Sequence, residues 1–373
     1  MTGFNCIVEN DKIKWSVAAE LPSPDGVHAH PGLAGPIAGI INNRLLISGG
    51  ANFPERLPWR GGKKVYHDEI YLFEKSKGQI IPTLSKQKLP QPVAYCANVK
   101  TLTGLVYLGG ENEQGVLDKV VLIKNDDTSG QLSFTDLPPL PLALSNLSAA
   151  SIGTLIYAGG GITKEGSSNK FFFLDMAVPG ANWQALPDIP IQVAYAVMVA
   201  QSNGGHKGIY LIGGRRKNSN GLSDIFSSVY QFDIKTNQWQ AKRSLPYSIS
   251  AGTGIASNDD QLFLFGGDKG ETFTREEKLS ALIRTEKDEQ KNGQLVKEKI
   301  ALLDGHPGFT RDVLIYNTLT DTWKNADPLP FASPVTTTAI KWEDDIIIPS
   351  GEIKAGVRTP KIIMGKLEHS HKN

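Results

Sequence analysis

The chain has 373 residues, of which 40% are hydrophobic and 21% are charged, and its formal net charge is +1. This balance and the lack of a long basic run argue against nucleic-acid binding, which needs a concentrated basic surface. No apolar stretch approaches the length of a membrane span, so insertion into a membrane is not expected. The two cysteines, Cys6 and Cys96, are too few for a disulfide framework, and the apolar run around Cys96 predicts a buried, unreactive thiol.

Short apolar runs that end in two glycines recur along the chain and divide it into repeats. Five diglycines and one degenerate Ser-Gly mark the units, at positions 49–50, 109–110, 159–160, 213–214, 266–267 and 350–351. After each comes an aromatic strand, then a polar turn and, in most units, a tryptophan strand ending in Leu-Pro. These features resemble Kelch repeats, whose blades have four strands called a to d. Six such units predict an all-β, six-bladed propeller that forms one domain over residues 1–373.

The two ends of the chain complement each other in this arrangement. The C-terminal part supplies strands a, b and c of the last blade, at about 334–341, 344–350 and 360–367, but no strand d follows. An unpaired strand around Trp15 begins the chain and supplies the missing strand d. Joining the two ends closes the ring and removes exposed sheet edges, which otherwise invite aggregation.

One unit carries an insertion. The last two glycine markers lie 84 residues apart, whereas the other spacings are 50 to 60 residues. The extra segment, at about 271–305, is rich in Glu and Lys, and Thr274 and Glu277 have the spacing of a capping box. Three apolar residues fall on one helical face: Leu279, Leu282 and Ile283. We therefore predict a helical insertion, which would serve as a solvated flank, as a lid, or as a contact in a homodimer.

The loops that follow the glycine markers are expected to meet at one face of the ring, around the mouth of the central channel. They bring together residues that can bind or react: Asn52, Phe53, Glu111, Arg215, Arg216, Asp268 and Glu352. The loop before the first unit adds Asp25, His28 and His30. Carboxylates and guanidinium groups around a funnel suit a small anionic ligand, although purely structural loops also carry charges.

Histidines near the first unit raise the question of a metal site. His28, His30 and His67 lie close in the expected fold, but their spacing matches no distinctive ligand motif. Hydrogen-bonded or solvent-facing histidines are the favoured interpretation. We therefore expect no metal site here.

The segment 350–359 contains the sharpest local motif. Glu352 ends a strand, and Arg358 follows six residues later across a tight loop that contains Gly356. A glutamate can transfer protons and an arginine can hold an anion beside it. The spacing alone favours an ordinary ion pair that fixes the loop.

The pattern Gly-Glu-x-Lys-x-Gly-x-Arg-Thr at 351–359 resembles the active-site loop of the N-acetylneuraminate epimerases, the bacterial sialic acid mutarotases. Segments 23–35 and 48–54 agree with this family, but the motifs occur in rotated order, as in a cyclically permuted branch. The resemblance implies that the chain interconverts the α and β anomers of N-acetylneuraminate or a related sialic acid. The reaction would proceed by acid–base-assisted ring opening and would need no cofactor.

The resemblance also implies roles for individual residues. Glu352 becomes the acid–base residue, and Arg358 becomes its partner in binding or stabilising the sugar carboxylate. Asn52, Glu111 and Arg215 are predicted substrate contacts on their loop positions alone. The family implies a periplasmic protein if a signal peptide was removed; otherwise the chain is expected in the cytoplasm, because its first residues lack signal features. The alternative function is a non-catalytic Kelch propeller that binds a protein or a carbohydrate.

Overall fold

The computed structural model describes residues 12–368, apart from residues 24–25, 78, 84, 127–128 and 259. Its main strands form six four-stranded antiparallel sheets, the blades of a propeller, and we letter the strands of each blade a to d from the channel outward. The first three blades comprise Ile37–Ile41, Arg44–Ser48, Ile70–Ser76 and Gln79–Thr83; Ala97–Lys100, Leu105–Leu108, Val120–Asn125 and Leu132–Leu137; and Ser148–Ile152, Leu155–Gly159, Phe171–Asp175 and Gln184–Leu186.

The other three blades follow the same order of strands. They comprise Val197–Ser202, Lys207–Ile212, Val229–Asp233 and Gln238–Lys242; Thr253–Ser257, Gln261–Phe265, Val313–Asn317 and Thr322–Ala326; and Ile340–Trp342, Asp345–Pro349, Lys361–Glu368 and Lys12–Glu20. The sixth blade therefore takes its strand d from the start of the chain, and the predicted ring closure is confirmed. Its strand a begins at Ile340, later than predicted, because the preceding residues form a turn beside the channel.

The loops between strands b and c carry small two-stranded hairpins in four blades. A short 3₁₀ helix, Pro58–Arg60, extends the loop of blade 1. The paired segments are Ala51–Asn52 with Val65–Tyr66, Glu111–Asn112 with Gly115–Val116, Arg215–Lys217 with Ser223–Ile225, and Glu352–Lys354 with Val357–Arg358. All four project from the same end of their blades and so surround one mouth of the channel.

The hydrophobic core lies between the blades. Six clusters of buried apolar side chains are found in the described chain, and each joins two neighbouring blades. The glycine markers allow this close approach. Gly109, for example, has φ of +64°, and a Cβ at this position would lie 2.2 Å from the carbonyl oxygen of Leu144 in the next connection.

A circle of backbone hydrogen bonds surrounds the channel just before strand a of each blade. Its members are Gly35, Tyr95, Asn146, Tyr195, Ala251 and Thr336, all in the left-handed region with φ between 49° and 61°. Each backbone N–H donates to the carbonyl oxygen of the preceding member, over 2.7 to 3.1 Å, and Gly35 closes the circle by donating to Thr336. Every blade is thus fixed to both neighbours at the same depth.

The insertion in blade 5 is helical, as predicted, and consists of α1 (Glu271–Thr285) and α2 (Glu289–Asp304). The expected capping box is wrong, because Gly270 caps α1 and Thr274 lies inside the helix. The predicted apolar face is only partly buried: Leu279 is buried, whereas Leu282 is exposed. No helix in the described part of the chain is long and apolar enough to cross a membrane.

The thiol of Cys96 donates to the carbonyl oxygen of Gly109 over 3.2 Å. Burial, with a smaller effect from Glu111, raises the pKa of this thiol far above its ordinary range, as expected for an unreactive cysteine. Cys6 and Asp25 lie outside the described residues.

Ring closure can be tested on the two faces of the closing strand. Ile13 is buried in the core cluster between blades 5 and 6, whereas its neighbour Lys14 points to solvent. We expect Ile13→Ser to lower the free energy of unfolding by about 3 kcal/mol or more, and Lys14→Ser to change it by less than about 0.5 kcal/mol. Urea denaturation measures both values. Equal effects of the two substitutions would contradict the assignment of this strand to the core.

Candidate active site

The hairpin of blade 6 holds Glu352 and Arg358 opposite each other. The two residues are paired in register across the antiparallel strands, which explains their spacing of six residues in the sequence. The turn between them depends on Gly356, which has φ of +71° and donates its backbone N–H to Glu352 Oε1 over 2.8 Å. One carboxylate oxygen of Glu352 is therefore fixed by its own hairpin.

Arg358 supports Glu352 from beneath. Its Nη2 lies 3.3 Å from Glu352 Oε2, and the two side chains are 4% and 19% exposed, respectively. The guanidinium carbon lies 4.7 Å from the centre of the Phe53 ring. The other two guanidinium nitrogens, Nε and Nη1, are buried and have no hydrogen-bond partner among the described residues. Arg358 thus lies behind the carboxylate of Glu352, and this carboxylate faces the funnel.

Ser350 occupies the position that a glycine takes in the other five units. It retains the left-handed conformation, with φ of +53°, and is fully buried. Its hydroxyl accepts from the backbone N–H of Leu33 over 2.8 Å and donates to the carbonyl oxygen of Thr359 over 2.7 Å. These bonds tie the segment between strand b, which ends at Pro349, and the hairpin, which begins at Glu352, to the connection from blade 6 to blade 1. The left-handed conformation of Ser350 is therefore held by side-chain hydrogen bonds two residues before Glu352.

Three of the predicted site residues meet around one cavity of about 250 Å³. Glu111, Arg215 and Glu352 line it from three different blades, together with four members of the channel circle, Tyr95, Asn146, Tyr195 and Thr336. The cavity thus gathers two carboxylates and a guanidinium at the mouth of the channel, as the loop positions predicted.

Glu111 has partners of its own at this cavity. Its Oε1 accepts hydrogen bonds from Tyr66, over 2.7 Å, and from Lys64, over 3.1 Å. Burial lowers the pKa of Lys64, but the Glu111 carboxylate outweighs it, so the pKa lies above its ordinary value. Burial and Glu111 together raise the pKa of Tyr66 to about 12. Lys64 therefore remains a cation and neutralises Glu111.

Arg215 forms no ion pair with any of the described residues. Its guanidinium lies between two aromatic rings, 4.0 Å from the centre of Tyr195 and 4.2 Å from that of Phe273. No carboxylate of the described residues lies within salt-bridge distance of it, whereas its neighbour Arg216 is paired with Asp224 at 2.6 Å. Aromatic stacking orients the planar guanidinium and leaves its edges for an anion.

The helical insertion forms the roof of a second cavity, of about 460 Å³, which shares Arg215 and Glu352 with the first. Phe273 of α1 and Lys299 and Leu303 of α2 face into it, opposite residues of the propeller. The cavity walls contain several aromatic and basic groups besides these: Trp59, His306 and Phe309.

Two contacts fasten the roof to opposite sides of the funnel. On one side, the carboxylate of Glu277 accepts from the backbone N–H and the hydroxyl of Ser223 in the blade 4 hairpin, over 2.7 and 2.8 Å. On the other side, Asp304 at the end of α2 accepts from Trp59 Nε1 over 2.7 Å and from Arg60 Nη2 over 2.5 Å. The insertion thus bridges the funnel and covers Arg215 and Glu352.

Asn52 does not reach either cavity, contrary to the prediction that it contacts substrate. It is 1% exposed, and both its amide nitrogen and its amide oxygen form hydrogen bonds. Its Nδ2 donates to the carbonyl oxygen of Gly32 over 2.9 Å, and its Oδ1 lies 2.9 Å from His67 Nε2. We therefore assign Asn52 a structural role in fixing the loop of blade 1.

The histidines of this region are likewise engaged in hydrogen bonds. His30 Nδ1 accepts from the backbone N–H of Gly32 over 2.9 Å, and its Nε2 lies 3.1 Å from the hydroxyl of Tyr71. His67 contacts Glu69 at 3.4 Å as well as Asn52. Among the described residues no group of three or more His, Cys, Asp or Glu side chains could hold a metal ion.

Three residues at the site were not singled out from the sequence. Lys64 lies in a long loop, and no local sequence pattern predicts the path of this loop across the funnel. Phe273 and His306 belong to the insertion and the segment after it, where the repeat pattern is interrupted. The insertion itself could have indicated that its residues contribute to the site, because long ordered segments in compact folds are commonly functional.

The fold and the site define a class of protein: a six-bladed propeller whose funnel is lined by charged and aromatic side chains and covered by a helical insertion. A family model described as N-acetylneuraminate epimerase matches residues 4–131 and 137–373. The chain belongs to this family. The predicted cyclic permutation stays a prediction.

Individual relatives carry the same description. The chain is 26% identical over 232 residues to the N-acetylneuraminate epimerase of Haemophilus influenzae (strain 86-028NP). The matched region covers 61% of this chain and 59% of the relative. It is 28% identical over 232 residues to that of Vibrio vulnificus (strain YJ016), covering 60% and 58%. It is 29% identical over 239 residues to that of Yersinia enterocolitica, covering 62% and 57%. The matched region thus spans somewhat under three-fifths of the length of each of these curated relatives.

The solved structure of YjhT has a similar fold, with a TM-score of 0.64 at 16% sequence identity. The similarity covers 95% of this chain and 98% of YjhT. It supports the propeller architecture across nearly the whole ring.

The buried His30 predicts how stability depends on pH. Burial, together with His67 and against the opposing effect of Glu69, lowers the pKa of His30 from 6.5 to about 4. The unfolded chain therefore binds a proton more readily, so the stability due to neutral His30 is present above about pH 6.5 and is lost as the pH falls toward about 4. We expect the stability difference between the wild type and His30→Gln, measured by urea denaturation, to narrow over this range. A difference that stays constant from pH 7.5 to 4.5 would contradict the lowered pKa.

Proposed function

We propose that the chain is a mutarotase that interconverts the α and β anomers of N-acetylneuraminate or a closely related sialic acid. The observation that carries the proposal is that one cavity contains both Glu352, whose carboxylate is held at the wall, and Arg215, whose guanidinium forms no ion pair among the described residues. Membership of the N-acetylneuraminate epimerase family supports the choice of substrate.

The reaction needs proton transfer at two oxygens of the sugar. The anomeric hydroxyl loses a proton as the bond between the anomeric carbon and the ring oxygen breaks, and the ring oxygen then gains a proton. Rotation of the open keto form about C2–C3 presents the other carbonyl face, and closure reverses the proton transfers. One carboxylate can accept and return the proton, because both oxygens lie on the same carbon before the ring opens.

Glu352 suits this role because its hairpin fixes its position without removing it from the cavity. Gly356 binds one carboxylate oxygen, and Arg358 lies beside the other at 3.3 Å. Arg358 therefore orients the proton-transferring group from behind. This changes its expected role, since a residue whose side chain is 4% exposed does not offer an open surface to the sugar carboxylate.

Arg215 is the better candidate to receive the sugar carboxylate. Its guanidinium is half-buried between Tyr195 and Phe273, where water competes less for the anion. The rings of Trp59, Phe273 and Phe309 supply apolar walls against which the carbon skeleton of a sugar can pack. The roof formed by the insertion would then limit exchange of the opened sugar with solvent.

Glu352→Gln tests the proton transfer. The substitution retains size and most hydrogen bonding but removes the acid–base function, so we expect kcat to fall about 100-fold or more with little change in KM. Anomer-resolved proton NMR of freshly released α-N-acetylneuraminate measures the rate of equilibration. Glu113→Gln, at the exposed tip of the blade 2 hairpin, is the matched control and should retain the wild-type rate.

The same assay separates the mutarotase from a non-catalytic propeller. A wild-type protein that leaves the spontaneous rate unchanged would refute the enzyme and favour a binding module. A Glu352→Gln variant as fast as the wild type would leave the Glu352–Arg358 pair with a structural role only.

Arg215→Gln tests recognition of the carboxylate. Loss of a charge-assisted hydrogen bond costs about 1.5–3 kcal/mol, so we expect Kd to rise roughly 10- to 100-fold and its dependence on salt to weaken. Isothermal titration calorimetry with N-acetylneuraminate and its methyl ester provides the measurement, and the wild type should discriminate against the ester. Arg216→Gln, whose charge is already paired with Asp224, is the control. Equal affinity of the wild type for acid and ester would argue against this role of Arg215.

A further inference from the structure

We propose that His306 is a second catalytic residue, which donates a hydrogen bond from Nε2 to the ring oxygen of the sugar while Glu352 transfers the proton. The inference rests on the proposed mutarotase function and adds a residue with a distinct chemical role. His306 lines the 460 Å³ cavity together with Glu352 and Arg215.

A short turn after α2 holds the imidazole in place. The backbone N–H of Gly308 donates to His306 Nδ1 over 3.0 Å, and the ring of Phe309 lies 5.0 Å from that of His306, centre to centre. Gly308 has φ of +94°, and a Cβ there would lie 3.3 Å from the carbonyl oxygen of Ile353. The turn is therefore packed against the hairpin that carries Glu352, so the two side chains are positioned by contacting segments.

The Gly308 hydrogen bond determines which imidazole nitrogen carries the proton. Because Nδ1 accepts a hydrogen bond, the neutral ring must be protonated at Nε2. Nε2 has no hydrogen-bond partner among the described residues, although the ring borders the cavity. The imidazole thus presents a fixed, unused N–H donor to whatever fills the cavity.

The surroundings favour the neutral form of this ring. Burial lowers the pKa of His306, the carboxylates of Asp268 and Glu352 oppose this effect, and Lys354 adds to it. The remaining charged side chains of the same cavity are Arg215 and the paired Glu276 and Lys299, whose atoms lie 2.6 Å apart. Near neutral pH the ring therefore acts as a donor that keeps its proton.

A donor of this kind has a defined task in ring opening. As the bond to the anomeric carbon breaks, its electron pair moves onto the ring oxygen, and Glu352 carries the proton from the anomeric hydroxyl to that oxygen. His306 stabilises the negative charge that develops before the proton arrives, and it neither loses nor gains a proton overall. Neutral imidazoles stabilise developing oxyanions in this way in other enzymes.

Two substitutions distinguish the effect of the N–H donor of His306 from the effect of its aromatic ring. His306→Phe retains an aromatic ring against Phe309 but removes the donor, so we expect kcat to fall roughly 100-fold, with KM changed less than about threefold. His306→Gln restores an N–H group near the position of Nε2 and should recover kcat to within about tenfold of the wild type. His206→Phe, whose wild-type imidazole pairs with Asp233 on blade 4, is the control and should retain kcat.

The test combines the anomer-resolved NMR assay with thermal denaturation of each variant. A fall of kcat in His306→Phe, recovery in His306→Gln and similar melting temperatures would support the inference. Either of two outcomes would overturn it: a His306→Phe variant within twofold of the wild-type kcat, or equal loss of kcat in both variants.

One further readout does not depend on activity. Long-range ¹⁵N–¹H NMR of the wild type should show the Nε2–H form of His306 at pH 7, and the Nε2 resonance should shift when N-acetylneuraminate is added. An Nδ1–H form would overturn the inference. If the wild type does not accelerate mutarotation, the proposed function is refuted. If the wild type accelerates it and His306→Phe is fully active, only the proposed role of His306 is refuted.

Discussion

The structure depends on the circle of six backbone hydrogen bonds that joins the blades around the channel. Five of its six members are not glycine, although all adopt the left-handed conformation, which costs L-residues on the order of 1 kcal/mol each. The hydrogen bonds, donated from each member to the one before it, offset this cost collectively. Closing the circle requires all six blades, and the sixth blade requires both ends of the chain.

The same circle forms the floor of the funnel. Tyr95, Tyr195 and Thr336 belong to it and also line the cavity that contains Glu352. Tyr195 packs against Arg215, so the orientation of the unpaired guanidinium follows from the geometry of the ring. Above this floor, the helical insertion contributes Phe273 to the other face of Arg215. The candidate site thus lies between a rigid floor common to all blades and a roof that one blade provides.

Much of the architecture could be predicted because repetition is visible in one sequence. The glycine markers, the tryptophan strands and the unmatched strand around Trp15 each have a direct structural cause. The tryptophans of blades 3, 4 and 5 show this well, since Trp183, Trp239 and Trp323 each donate their indole N–H to a backbone carbonyl of the preceding blade. The sequence positions directly after strand b of each blade also predicted correctly which loops meet at the funnel.

The depth of individual side chains could not be predicted in this way. Loop position placed Asn52 and Arg358 with Glu111 and Arg215, but Asn52 turns inward to Gly32 and His67, and Arg358 lies behind Glu352. The direction of a side chain depends on long-range hydrogen bonds that have no local signal. The helical insertion was recognised by its length and composition, yet its contacts with Ser223 and Trp59 depend on the three-dimensional ring.

A crystal structure of the Glu352→Gln variant with N-acetylneuraminate would test the central claim most directly. We predict that the sugar lies beneath the helical insertion, with its carboxylate about 3 Å from the guanidinium of Arg215 and its anomeric hydroxyl within hydrogen-bond distance of residue 352. A sugar bound outside this cavity, or one whose carboxylate faces away from Arg215, would contradict the proposed site.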